Sequence, residues 1–450
     1  MAWLEIAFYI ILFLAAGFSF AYFLKRQFKA QVFFNIFSIV KTKKPIPIFE
    51  KFAKFNKFWT AFARFALILG FGSIAVDYLF GRKLSKAKRI LLFAVSFVVL
   101  YTILFYLLSG LLTPAASSNS IILFSSFALF GCAGLSIVLL AVNAITIIEN
   151  FFTGAKSIPG VAPLIPGLTI PNVPFTVPLH GWLSLLIILV VHEASHGILA
   201  RMHKIKVKST GLLLFGFLPI GAFVEPDEKQ FNKEPDSKRL DVLAAGSMAN
   251  FALSAIVFGI YLLLLASLIA PFASQSVVVS SLEEFSIING VKEKNPAFGT
   301  IFAGDIILSV NGQKISTKKD LQSIVKQSNV LQFELKDVNG IVRSETIEKN
   351  KAGVIGIVYD QQIDESKINP LSLLLVEFFY WLFLLNLFVA ISNFMPLVPF
   401  DGGQIVKLLF LPYVGFLGFN RKESEKFISR VFIWIMGILI LINVLPLFQF

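Results

Sequence analysis

The sequence predicts a multi-pass α-helical membrane protein of about eight spans, with a small soluble α/β domain inserted between the sixth and seventh. Three observations carry this. First, 56% of the 450 residues are hydrophobic and only 15% are charged, whereas soluble domains run at about 45–50% and about 25%. Second, apolar runs near the length that a helix needs to cross a bilayer occur at 2–24, 61–81, 90–112, 120–148, 181–200, 242–271, 371–395 and 428–448. Third, residues 275–366 are polar, with acids and bases nearly balanced, so the net charge of +13 belongs to the apolar part.

Taken in order, run 2–24 carries Glu5, ends at Lys25-Arg26 and has no small-residue cleavage pattern, so it reads as a retained anchor. Residues 25–60 are basic, and Phe49, Phe52, Phe55 and Phe58 recur every three positions, a period that predicts an amphipathic helix on the membrane surface. Together with the following spans this makes an N-terminal membrane region, 1–150. Run 61–81 is the weakest of its spans because Arg64 and Asp77 stand in it. Residues 151–180 hold Pro159, Pro163, Pro166, Pro171, Pro174 and Pro178, which predict an irregular loop. Segment 181–274 is a first membrane half and 367–450 a second; within the latter, 404–419 is apolar but broken by Pro412 and reads as re-entrant, interfacial or a further span. Between the halves, 275–366 shows strand-like Ile306–Val310, Leu331–Leu335 and Ile341–Ile347, turns at Asn311-Gly312 and Asn339-Gly340, and a helical Lys318–Lys326.

The single Cys132, in an apolar run, excludes a disulfide framework and a four-thiolate metal site. The basic residues lie beside apolar spans, which is the pattern of cytoplasmic anchoring rather than of nucleic-acid binding. Arg201, Lys204, Lys206, Lys208, Lys229, Lys233, Lys238 and Arg239 mark the cytoplasmic end of the spans at 181–200 and 242–271. Counting spans backward then puts Lys83–Arg89 outside, a conflict that disappears only if 61–81 or a neighbour does not cross.

The chemistry lies in His192-Glu193-Ala194-Ser195-His196. At a spacing of four on a helix, both imidazoles reach one metal ion while Glu193, about 100° around, reaches a water on it. The chain has 4 His, and the pattern arises by chance in roughly two of a thousand such chains. A catalytic zinc takes three protein ligands and keeps one position open. Intramembrane carboxylates that offer the third are Glu5, Asp77, Glu149, Glu377 and Asp401. Asp401 stands out, because prolines and glycines break the apolar helix around it in Asn393-Phe394-Met395-Pro396-Leu397-Val398-Pro399-Phe400-Asp401-Gly402-Gly403, and broken backbone at membrane depth marks a cavity. His180 and His203 flank the span, and Asn143 fits a helix–helix hydrogen bond.

His192–His196 with Gly197, Gly246-Ser247-Met248-Ala249-Asn250, and Asn393-x-x-Pro396-x-x-Pro399-x-Asp401-Gly402 together resemble the site-2 protease family of intramembrane zinc metalloproteases, over residues 181–410. The resemblance implies one Zn²⁺ on His192, His196 and Asp401, with Glu193 activating the water. It implies Asn250 and Asn393 near the substrate oxyanion, and transmembrane segments of other membrane proteins as substrates in regulated intramembrane proteolysis. It also implies a PDZ domain over 275–366, where Asn295-Pro296-Ala297-Phe298-Gly299 and Gly304-Asp305 through Asn311-Gly312 look like the PDZ entry strand and hairpin, and with it a peptide ligand. Residues 209–225 resemble the membrane-associated β-hairpin of the family. The expected setting is the lipid bilayer, the cell membrane in a prokaryote, with no nucleic acid as partner. A non-enzymatic membrane scaffold with a PDZ module and a structural zinc is the rival, distinguished by a fourth protein ligand and no need for Glu193. A transporter would show internal repeats, which this chain lacks.

Overall fold

The computed structural model describes residues 2–109, 118–288, 291–351 and 353–448. The chain forms two compact units, Met1–Phe258 with Phe378–Phe450, and Gly259–Glu377.

The first unit opens with helix α1 (Ala2–Phe28). Strands β1 (Gln31–Phe33) and β2 (Phe37–Thr42) follow where a surface helix is expected from the sequence. The reason is local: in the three-residue connection between the strands, Phe34 and Asn35 take positive φ of 50° and 58°, and Ile36 N donates to Phe33 O, which closes a tight turn. Helix forms only afterwards, in α2 (Ile46–Phe52). Strand β2 then pairs, from Phe37↔Phe215 to Thr42↔Thr210, with β3 (Val207–Phe215), and β3 with β4 (Leu218–Pro226), giving one antiparallel sheet in the order β1-β2-β3-β4.

Among the described residues seven helices are long and apolar enough to cross a membrane, and the run 2–24, also expected to span, forms helix α1. They are built on α3 (Asn56–Val76, continued by a wide turn to Gly81), α4 (Lys86–Ser109), α5 (Ser118–Thr153), α6 (Gly181–Met202), α8 (Asp236–Leu264), α10 (Pro370–Asn393) and α12 (Arg421–Val444), with short helices α7 (Glu228–Lys233) and α11 (Asp401–Phe410) between. Two are broken by glycines at positive φ, α3 at Gly72 (56°) and α5 at Gly131 (55°). The breaks touch: a Cβ on Gly131 would lie 2.4 Å from Leu69 O, and Ser73 Oγ donates to Ala128 O at 2.8 Å. Arg64 and Phe80 line one cavity, although an unbroken helix would hold them about 24 Å apart. The chain therefore turns back at Gly72. Arg82 and Lys83 stand with Asp236 and Asp241 around that cavity, and Asp241 accepts from His203 (3.0 Å) at the end of α6. The basic residues from Arg82 to Arg89 and those after α6 thus share one end of the bundle, which removes the conflict in the charge count.

The core of this unit joins Phe71, Phe130, Phe394, Ile405 and Leu409. The proline-rich connection has no helix or strand from 154 to 180; it is tied down where Gly160 N donates to Asn443 O (3.1 Å) and Asn172 Nδ2 to Pro446 O (2.7 Å). Asn143 Nδ2 donates to Asn443 Oδ1 at 2.8 Å.

The second unit is a sheet domain with its own core. Its strands are β5 (Ala273–Leu282), β6 (Phe285–Ile288), β7 (Val291–Lys294), β8 (Ile306–Val310), β9 (Gln313–Lys314), β10 (Val330–Lys336), β11 (Val342–Glu348) and β12 (Ile357–Ile363). The main sheet runs β11-β10-β8-β5-β12, and helix α9 (Lys318–Gln327) starts at a reciprocal cap between Thr317 and Asp320. Alternation buries Leu331, Phe333 and Leu335 of β10 and exposes the residues between.

Candidate metal centre

Helix α6 is apolar almost throughout, and it ends where Lys204 takes a positive φ of 63°. The one-turn spacing of His192 and His196 brings their Nε2 atoms to 3.1 Å from each other. Asp401 enters from far along the chain as the first residue of α11. Phe400 before it is extended, and Gly402 and Gly403 let the new helix fold onto the preceding loop: a Cβ on either would stand 2.3–2.4 Å from backbone atoms of Phe394 or Leu397. Phe394 anchors that loop, fully buried against Phe71 and Phe251 and filling the space beside Gly70.

Asp401 Oδ2 lies 3.1 Å from His192 Nε2 and 3.2 Å from His196 Nε2. Three donor atoms at 3.1–3.2 Å from one another fit a metal ion, since tetrahedral bonds of about 2.0–2.1 Å set neighbouring ligands about 3.3 Å apart. Among the described residues this is the one group of three or more His, Cys, Asp or Glu so gathered. Of the other carboxylates weighed for the third position, Asp77, Glu149 and Glu377 do not join it, and the Glu5 side chain lies outside the described residues; Asp77 is buried in a two-bond pair with Arg89, both contacts at 2.6 Å.

The outer nitrogens of both imidazoles are held. His196 Nδ1 donates to Val242 O of α8 at 2.7 Å, which leaves Nε2 its lone pair. The Asn250 amide stands 3.2 Å from His192 Nδ1, and its Oδ1 has no hydrogen-bond partner. A half-turn of that amide presents Oδ1 to Nδ1–H and frees His192 Nε2 for a metal, so the orphaned oxygen fits the same assignment. The structure thus brings Asn250 behind a ligand. Asn393 is not brought to it: its Nδ2 donates to Val389 O, one turn back in α10 (2.9 Å).

Glu193 points to the sheet. Its Oε2 accepts from Val224 N of β4 at 2.9 Å, and it lines a cavity of about 280 Å³ walled by Val40, Thr42, Phe49, Leu212 and Phe223. Next to Val224, Glu225 takes the Ser209 hydroxyl (2.6 Å) and Lys41 (3.2 Å), which hold its carboxyl below the usual range. Gly246 is a residue whose part sequence reasoning missed. A Cβ there would lie 2.5 Å from His196 Nε2 and 2.6 Å from His192 Nε2, so a bare backbone lets α8 approach both imidazoles. The signal was a glycine inside a run of good helix formers, Leu243-Ala244-Ala245-Gly246.

A family model for peptidase family M50 matches residues 180–440, more than half of the chain. The chain belongs to peptidase family M50. This is the site-2 protease family that its motifs resemble. An uncharacterized protein of Methanocaldococcus jannaschii is 32% identical over 56% of this chain and 60% of its own length, and the zinc metalloprotease RasP of Geobacillus kaustophilus is 25% identical over 35% and 36%. The chain thus spans about 60% of the archaeal relative and about a third of RasP. As an M50 member with seven membrane-length apolar helices, the protein is an integral membrane protein.

Proposed function

We propose that this protein is an intramembrane zinc metalloprotease that cuts transmembrane segments of other membrane proteins. The observation that carries the proposal is the meeting of His192, His196 and Asp401 at 3.1–3.2 Å beside a glutamate that faces a β-strand. Zinc held by these three residues supplies a Lewis acid to polarise the scissile carbonyl and to acidify water. Glu193 takes the proton of the attacking water and hands it to the leaving amine nitrogen. Val224 N–H holds Glu193 Oε2, so Oε1 is the oxygen left for the proton. Asn250 and the Val242 carbonyl keep the two imidazoles aligned. Asn393, the last residue of α10 and next to the loop that leads to Asp401, steadies the substrate carbonyl once its amide leaves Val389 O.

A substrate helix hides its carbonyls in hydrogen bonds and must unwind before attack. Strand β4 supports such a step: it ends the sheet, bonds β3 on one side, and stands with Glu193 at the cavity. An extended segment added there presents its backbone to the site. The second unit acts as a PDZ-like peptide binder, with β12 as the terminal strand nearest α9. The positive-inside rule puts Arg201–Lys208 and Arg82–Arg89 on the cytoplasmic side of a multi-pass protein. The cavity that Arg82 and Lys83 share with Asp241 supports this, because Asp241 bonds His203 at the end of α6. A structural-zinc scaffold needs four protein ligands, and the group here has three.

The test is co-expression with a tagged single-span substrate library. Wild type yields fragments cut within the span, and Glu193→Gln yields none while holding wild-type zinc. Cutting by Glu193→Gln overturns the proposal.

A further inference from the structure

We infer that the cavity of about 790 Å³ between the arms of α3 and the start of α8 binds a phosphate-bearing anion, and that its source is the headgroup of an anionic membrane lipid. Arg64, Arg82 and Lys83 line this cavity. Two carboxylates line it as well, and both are engaged elsewhere. Asp236 accepts from Arg421 and lies 3.5 Å from Arg239, and Asp241 accepts from His203 at 3.0 Å. Among the described residues no carboxylate lies within ion-pair distance of Arg64, Arg82 or Lys83; the nearby Asp77 is taken by Arg89. The Arg82 guanidinium instead lies over the Tyr78 ring, 5.1 Å from its centroid. Three cations and two carboxylates therefore line one space, and the carboxylates are bonded to Arg421, Arg239 and His203 rather than to those three cations.

Arg64 makes this more than a basic loop. It sits two turns into an apolar helix, where a charged side chain persists only with a cavity or a partner. The turn at Gly72 sets Arg64 opposite Arg82, which a straight helix would keep apart. Two guanidinium forks and an ammonium in the lining of one cavity suit the oxygens of a phosphate, each fork able to bond two of them. The rest of the wall selects the source. Leu79 and Phe80 line the same cavity, and Phe80 is half exposed, so the site offers an apolar flank beside its charges, as a lipid needs and a free nucleotide does not. The site also adjoins the metal centre through the chain itself: Asp241 is followed by Val242, whose carbonyl holds His196 Nδ1. A headgroup seated here bears on the first turns of α8, and through them on a ligand imidazole.

The experiment is native mass spectrometry of the full chain in detergent, titrated with dioleoyl phosphatidylglycerol or phosphatidylcholine, alongside calorimetric titration with ATP and inorganic phosphate. Phosphatidylglycerol is expected to bind at least about tenfold tighter than phosphatidylcholine, and to weaken as salt rises. Arg64→Gln combined with Arg82→Gln removes the preference, Lys83→Gln in the exposed loop reduces it, and Lys86→Gln, outside the cavity wall, leaves it intact. If the paired variant fails to fold, the Lys83→Gln and Lys86→Gln comparison decides alone. ATP or phosphate binding that the same variants abolish, with no lipid preference, upholds the phosphate site and overturns the lipid assignment. Equal binding of both lipids without ATP or phosphate binding, or a preference that all variants keep, overturns the site.

Discussion

Replacing Gly246 by alanine disturbs the metal centre without deleting a ligand. The added methyl would stand 2.5 Å from His196 Nε2 and 2.6 Å from His192 Nε2, where unstrained contacts begin near about 3.5 Å. Either α8 or the imidazoles must withdraw by roughly 1 Å, about half the length of a Zn–N bond. Loss of ligand alignment on that scale lowers metal affinity by about 10–100-fold, or about 1.4–2.8 kcal/mol. Helix propensity acts in the opposite sense, since alanine is better than glycine inside a helix by about 1 kcal/mol. The assay is zinc affinity by chelator competition, run beside the melting temperature of the metal-stripped chain. The expected result is weakened zinc binding with an unchanged or higher metal-free melting temperature. Wild-type zinc affinity in Gly246→Ala would refute the close approach of α8 to the ligand pair.

Asp401→Ala is expected to lose stoichiometric zinc, while Glu193→Gln keeps about one ion per chain; zinc counted on both purified variants checks the division of roles. Gly131→Ala should lower stability by about 1–3 kcal/mol or more, the strain of a φ 55°, ψ −147° backbone that essentially only glycine adopts, with overlap on Leu69 O 2.4 Å away added to it; thermal melting reads it, and an unchanged melt would mean that the break of α5 is not rigid. Phe333→Ala, at the centre of the sheet-domain core, should cost about 3–5 kcal/mol and open amide exchange across β10 and its neighbours. Backbone amides of Thr317 and Ser316 lower the Asp320 carboxyl from its ordinary value of 3.8. The cap is therefore at full strength above that value and is lost as pH falls through the lower folded one. Amide exchange over Lys318–Gln327, corrected for intrinsic rates, should rise on acidification below about pH 4 in wild type, and Asp320→Asn should remove that dependence.

The grouping of His192, His196 and Asp401 was legible where chemistry fixes spacing. His192 and His196 must be one turn apart to share an ion, and the prolines and glycines around Asp401 marked the break that lets its carboxylate reach them. The second unit was legible too: the strands at Ile306–Val310 and within Val330–Lys336, and the helix Lys318–Gln327, carry alternation and caps that local physics reads directly. Residues 31–42 were not. A three-residue and a six-residue strand hold too few positions to display a period, and the helical period of the phenylalanines beyond them belongs to α2 and the start of α3 alone. Gly72 and Gly131 look like ordinary glycines in apolar helices; only their contact with each other's backbone shows why they turn. Asn250 was placed near the site, but the bond to His192 Nδ1 depends on how α8 packs, and no local pattern encodes that.

The sheet beside Glu193 is assembled from two distant parts of the chain, residues 31–42 and 207–226, joined along six registered pairs. The family match begins at residue 180, so its boundary is not that of the folding unit. A chimaera that transplants only the matched segment would leave β3 with a bare edge, an invitation to pairing between molecules. The two halves of the sheet should consequently travel together whenever such chains are recombined, as one inherited surface.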